Sequence, residues 1–78
     1  MIMMDVQPTT QTSLRISLNG QLRTTEAATL ADLLIEAGFG EAKVATAVNG
    51  EFVPQRARDT RRLAAGDQIE IVSPRQGG

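Results

Sequence analysis

Apolar and polar residues alternate in the first segment of the chain that has a regular pattern. Leu14, Ile16 and Leu18 are separated by polar residues, which places three apolar side chains on one face of a β-strand. Asn19-Gly20 follows, and this dipeptide favours the left-handed backbone of a tight hairpin turn. Residues 21–25 can then return antiparallel, so the pattern predicts a β-hairpin.

A short helix is predicted after this hairpin. Thr29 and Asp32 have the spacing of a capping box, in which the threonine oxygen accepts a bond from an early helical N–H and the carboxylate reaches back. Apolar residues then recur at helical spacing and form one stripe: Leu30, Leu33, Leu34 and Ala37. Gly38 lies where a left-handed residue commonly ends a helix. Because so short a helix is marginal in water, its stripe must pack against the hairpin.

A second hairpin is predicted from the next alternation of β-prone residues and a turn. Residues 44–48 favour a strand, and they are followed by another Asn-Gly pair, Asn49-Gly50. Residues 51–53 form a short returning strand, which Pro54 ends because proline cannot donate to a sheet.

A polar loop is predicted at residues 55–62, and Leu63, directly after it, is the one residue expected to anchor this segment to the core. The last strand is predicted at residues 68–72. The predicted order is therefore ββαβββ, an α+β domain with five strands and one main helix. We expect one core between helix and sheet, built from Leu14, Ile16, Leu30, Leu33, Leu34, Ile69 and Ile71.

The two ends of the chain lack this patterning. Residues 1–12 show neither helical nor strand periodicity, so we interpret them as a flexible leader before a single domain at residues 13–72. Residues 73–78 contain Pro74 and end in two glycines, which predicts a flexible tail.

The composition excludes most forms of catalysis. The chain has no cysteine and no histidine, and therefore no disulfide, no thiol nucleophile, no Cys/His zinc site and no imidazole base. Its carboxylates are dispersed without the spacing of an acid/base pair or a metal loop. We expect a protein that is not an enzyme and has no catalytic residue, no metal site and no bound cofactor.

Charge and aromatic content disfavour nucleic acid and membrane partners. The formal net charge is −1 with both signs well mixed, and two phenylalanines are the only aromatic residues. No apolar run has the length of a membrane span or of a signal peptide. We therefore expect a cytoplasmic protein.

Four arginines lie close together in the predicted polar loop: Arg56, Arg58, Arg61 and Arg62. The simpler interpretation is a solvated loop. The alternative is a positively charged surface beside a docking sheet face, whose charge reversal would slow association with an acidic partner more than it changes the chemistry.

The final two residues, Gly77 and Gly78, carry the strongest functional signal in the chain. Without Cβ atoms, they can pass through a narrow channel and present the terminal carboxylate of Gly78 to a reagent bound by another protein. A carboxylate becomes a good electrophile only after activation, for example as an acyl adenylate. Since the chain has no ATP-binding motif, the activator must be a partner.

The residues resemble a known family when they are taken in order. Asn49-Gly50-Glu51-Phe52-Val53-Pro54, Asp59-Thr60-Arg61-Arg62-Leu63, Gly66-Asp67-Gln68-Ile69-Glu70-Ile71-Val72 and the final Gly77-Gly78 are similar to the ThiS family, the sulfur carriers of thiamine biosynthesis within the ThiS/MoaD group. The resemblance covers about Ser13 to Gly78. It implies a ubiquitin-like β-grasp fold with a mixed five-stranded sheet. The leader has no counterpart in the family pattern.

The resemblance also implies a reaction and its partners. Gly78 is the residue that carries sulfur: an E1-like, ThiF-like adenylyltransferase uses ATP and magnesium to form the acyl adenylate. A cysteine desulfurase system supplies sulfur to give a thiocarboxylate, and a ThiG-like thiazole synthase receives it. Gly77 is the penultimate residue of the tail, and it has no side chain.

Two alternatives share the fold. The small subunit of molybdopterin synthase, MoaD, also ends in diglycine, but its tail usually has consecutive prolines, whereas this chain has only Pro74 there. A ubiquitin-like modifier or a plain binding module is the other alternative.

Overall fold

The computed structural model describes residues 13–73 of the chain. The elements follow the predicted ββαβββ order: β1 (Leu14–Leu18), β2 (Gln21–Thr25), α1 (Leu30–Glu36), β3 (Ala45–Val48), β4 (Glu51–Val53), a 3₁₀ turn (Gln55–Ala57) and β5 (Gln68–Val72). The predicted leader at residues 1–12 and residues 74–78 of the predicted tail lie outside the described residues. Within residues 13–73, no helix has both the length and the apolar character needed to cross a membrane.

The five strands form one mixed sheet in the order β2-β1-β5-β3-β4. β5 is last in the chain but central in the sheet, where it pairs parallel with β1 and antiparallel with β3. Parallel neighbours cannot be joined by a tight turn, so everything between β1 and β5 acts as the connection. Both predicted hairpins are confirmed, with Asn19-Gly20 and Asn49-Gly50 at their turns.

α1 begins and ends at residues that the sequence indicated. The Thr29 side chain accepts a hydrogen bond from the Asp32 backbone N–H at 3.2 Å, and Gly38 has a φ of +93° just after the helix. Only this half of the predicted capping box forms, since no backbone N–H of the described residues donates back to the Asp32 carboxylate. All three leucines of the helix are buried, and Ala37 is half-buried.

The predicted core is confirmed in outline. Ile16, Leu33 and Ile69 are each at most 1% exposed, and they belong to one cluster of buried side chains between helix and sheet. Leu14 is only partly buried and packs at the edge of this cluster, as does Leu63. The prediction omitted seven apolar residues that belong to the core or pack against it: Ala27, Val48, Val53, Leu18, Phe39, Val44 and Ala57.

The polar loop corrects one interpretation of the arginine cluster. Arg58 is not a solvated side chain, because its Nε donates to Thr46 Oγ1 at 3.1 Å and its Nη2 donates to the Val44 carbonyl at 2.6 Å. The guanidinium therefore ties the loop to β3. Arg56 and Arg62 are exposed, so they remain the accessible members of the predicted positive surface.

Candidate functional site at the carboxyl end of β5

Gly78, which is predicted to react, and Gly77, the tail residue before it, lie outside the described residues. The last described residue is Ser73, directly after the end of β5 at Val72. Gly78 is five residues beyond Ser73, so covalent geometry keeps it within roughly 18 Å of that point. The part of the site that the structure describes is therefore the end of β5 and the surfaces around it.

Strands flank β5 on both edges, but only one of them reaches this end. On one edge, Ile71 and Val72 lie opposite Thr46 and Ala45 of β3. On the other edge, the parallel register with β1 covers only the first two residues of β5, Gln68 and Ile69. β1 therefore stops short of the point where the chain leaves the sheet.

The side chain of Asn19 continues the bonding beyond the end of β1. The Ile71 N–H donates to Asn19 Oδ1 at 2.8 Å, and Asn19 Nδ2 donates to the Ile71 carbonyl at 3.2 Å. Sequence reasoning placed Asn19 in a turn and assigned nothing to its amide. No local signal reveals this role, because the bonded residues are 52 positions apart.

An apolar patch lies on the open face of the sheet, which is the face opposite α1. We define the open-face patch as Ala45, Ala47, Phe52 and Val72. Strand register places Phe52 next to Ala47, and Val72 next to Ala45, on that face. Phe52 is 65% exposed and Val72 is 59% exposed, although both are large apolar side chains. Large contiguous apolar patches mark interaction sites, which makes this face a candidate docking surface.

The charged groups of residues 13–73 assemble neither a metal-ligand cluster nor an extended ion-pair network. Within residues 13–73, no group of three or more metal-ligating side chains is assembled. The one ion pair of that region, Arg23 with Glu36 at 3.5 Å, joins β2 to the last turn of α1.

A sequence model of the ThiS family matches residues 16–78 of the chain. The chain belongs to the ThiS family. Its structure is similar to the crystal structure of a thiamine biosynthesis protein (ThiS) from Geobacter metallireducens, with a TM-score of 0.71 and 26% sequence identity. The similarity covers 83% of this chain and 100% of that chain. No curated protein matches the chain significantly.

Two predictions are confirmed at this point. The resemblance to the ThiS family, inferred from the residues around Asn49-Gly50, the last strand and the diglycine, is correct. The ubiquitin-like β-grasp fold that it implied, with a mixed five-stranded sheet and one helix, is also correct. The family match extends through Gly77 and Gly78, whose roles stay predictions.

Proposed function

We propose that this chain is a sulfur carrier of thiamine biosynthesis, and that the carboxylate of Gly78 is adenylated and then converted to a thiocarboxylate. The observation that carries the proposal is the ThiS family match over residues 16–78, which includes the diglycine. The similarity to a crystallised thiamine biosynthesis protein supports the pathway. The chain is the substrate of its partners and not itself the catalyst.

The proposed chemistry has two steps. A Gly78 carboxylate oxygen attacks the α-phosphorus of ATP, and pyrophosphate leaves with its magnesium. Hydrosulfide then attacks the acyl carbon and gives the thiocarboxylate directly. A persulfide from a cysteine desulfurase system attacks the same carbon but gives an acyl disulfide, whose S–S bond a thiol must then reduce to release the thiocarboxylate. The C–O bond to the nucleotide breaks, AMP leaves, and the acyl group keeps the sulfur. ATP and magnesium are bound by the activating enzyme, so this chain needs no cofactor of its own.

The proposed partners are a ThiF-like adenylyltransferase and a ThiG-like thiazole synthase. The open-face patch supports docking of a partner beside the end of β5, because Phe52 and Val72 are largely exposed there. A partner that covers this patch lies close to Ser73, and Gly78 is within roughly 18 Å of Ser73. Docking and chemistry can therefore occur on one partner at the same time.

The test measures two products of the full chain with a ThiF-like enzyme, ATP and magnesium. We expect pyrophosphate release, and with sodium hydrosulfide a mass increase equal to one oxygen-for-sulfur exchange. Deleting Gly78 should abolish both, because it retracts the carboxylate by about 3.3–3.6 Å, more than the geometry of attack tolerates. Appending one residue should abolish both as well.

A matched pair of substitutions tests the passage of the chain end through the partner's channel. Gly77→Val adds a β-branched side chain and keeps the carboxylate in place, so adenylation should slow strongly. Gly77→Ala is the control and should slow it less. Sulfur acceptance by the Gly78 deletion, or sulfur found on another residue, would show that the carrier proposal is wrong. Transfer of the sulfur to a ThiG-like synthase distinguishes the thiamine pathway from the molybdopterin alternative.

A further inference from the structure

We propose that Asn19 is a positioning residue for the reacting chain end, because its side-chain amide fixes the last residues of β5 at the point where the chain leaves the sheet. This inference rests on the proposed function, since the position of the chain end matters for activity only if Gly78 reacts on a partner. Asn19 does not touch the reacting atoms. It acts through the backbone of Ile71.

The backbone of Asn19 already bonds to β5. Its N–H donates to the Ile69 carbonyl at 2.9 Å, which continues the ladder of β1 by one bond. Asn19 then adopts a left-handed φ of +52° and the chain turns away towards β2. From here on, the backbone of the β1–β2 hairpin moves away from β5.

The side-chain amide replaces the missing strand. Ile71 is two residues after Ile69, so its N–H and C=O face the same edge of β5 that β1 occupies. Asn19 Oδ1 accepts from that N–H at 2.8 Å, and Asn19 Nδ2 donates to that carbonyl at 3.2 Å. One primary amide thus supplies the same pair of bonds that a neighbouring strand residue supplies.

This pair of bonds holds the β1 edge of β5 at Ile71, near the carboxyl end of the strand. Without it, the N–H and C=O of Ile71 have no strand partner, and the end of β5 is held by β3 only through the backbone of Val72, on the opposite edge. A strand held on one edge opens more readily than a strand held on both. Opening at Ile71 widens the range of positions that Gly78 can occupy, and a partner must then order more of the chain on binding.

Asn49 provides a matched control within the same chain. It has a φ of +54° in an Asn-Gly turn, and its Oδ1 accepts from the Gln68 N–H at 2.8 Å. Its amide therefore holds the beginning of β5, away from the chain end. Any effect that comes from losing a turn asparagine in general should appear at both positions.

The experiment compares Asn19→Gly with Asn49→Gly in the full chain. Glycine adopts the left-handed turn without strain, so each variant removes the amide without distorting the turn. Pyrophosphate release is measured against carrier concentration with a ThiF-like enzyme. Hydrogen exchange of the Ile71 and Gln68 amides is measured on the carrier alone.

We expect Asn19→Gly to raise KM by roughly tenfold, the factor that about 1.4 kcal/mol produces, and to leave kcat nearly unchanged. Its Ile71 amide should exchange faster. Asn49→Gly should speed exchange at Gln68 and change KM by less than about twofold. Asn19→Asp keeps an acceptor for the Ile71 N–H but places a carboxylate oxygen against the Ile71 carbonyl, so it should raise KM as well.

Each other outcome is decisive. A wild-type KM in Asn19→Gly, or unchanged exchange at Ile71, overturns the positioning role and leaves the proposed function intact. An equal rise of KM in Asn19→Gly and Asn49→Gly also overturns it, because general stability then explains both. No pyrophosphate from the wild-type chain with active ThiF-like enzymes overturns the proposed function and this inference together.

Discussion

The two Asn-Gly hairpins have nearly the same turn, but their asparagines bond opposite ends of the central strand β5. φ is +52° and +84° at Asn19 and Gly20, and +54° and +83° at Asn49 and Gly50. Yet the first asparagine bonds the carboxyl end of β5 and the second bonds its amino end. The reason is strand direction: β1 is parallel to β5 and β3 is antiparallel, so their following turns lie at opposite ends.

The two ends of β5 also differ in how many groups support them. At the amino end, Asp67 accepts from Asn49 Nδ2 at 3.0 Å and from the Ala64 N–H at 2.8 Å. Asp67 is buried. At the carboxyl end, the bonds to the β1 edge at Ile71 come from Asn19. The amino end is therefore held by several side chains, and the β1 edge of the carboxyl end by one amide.

The largest expected effect comes from a change that disturbs both hairpins at once. Ile69 is 1% exposed, its carbonyl accepts from the Asn19 N–H, and it lies opposite Val48 of β3. Ile69→Ala should lower the free energy of unfolding by about 2–5 kcal/mol, measured by urea denaturation. Val72→Ala, at an exposed position of the same strand, is the control and should change it by less than about 0.5 kcal/mol. Similar values for both variants would contradict the assigned core.

A smaller effect should separate the two ends of β5. Asp67→Ala removes the acceptor for Asn49 Nδ2 and the Ala64 N–H, and should cost about 1–3 kcal/mol of unfolding free energy. In double-mutant cycles, Asp67→Ala should couple to Asn49→Gly and be additive with Asn19→Gly. Coupling to Asn19→Gly of equal size would mean that the two ends are not independent.

The smallest effect should be the same in both hairpins. A Cβ added at Gly20 or Gly50 would meet nothing within 4 Å, so only the left-handed backbone opposes alanine. Gly20→Ala and Gly50→Ala should each lower the free energy of unfolding by about 1 kcal/mol. Thermal or urea unfolding of the two variants checks this. A difference above roughly 0.5 kcal/mol would show that the turns are not equivalent.

The candidate site could be predicted only in part from the sequence. Gly77 and Gly78 were singled out because small terminal residues and a free carboxylate have a direct chemical meaning. The open-face patch and the role of the Asn19 amide were not predicted. Phe52 and Val72 come to lie on one surface only when β4, β3 and β5 pair in register. Arg58 was misinterpreted for the same reason, because its acceptors at Thr46 and Val44 lie on another element.

The sequence by itself determined the local elements of this protein. Both hairpin turns, the Thr29 cap, the Gly38 helix end and the inward face of β5 depend on residues a few positions apart, whose backbone preferences and spacing are local properties. Only the tertiary structure decided that β5 inserts between β1 and β3. That choice depends on how helix and sheet together bury one apolar core, and it alone sets which end of β5 each asparagine reaches.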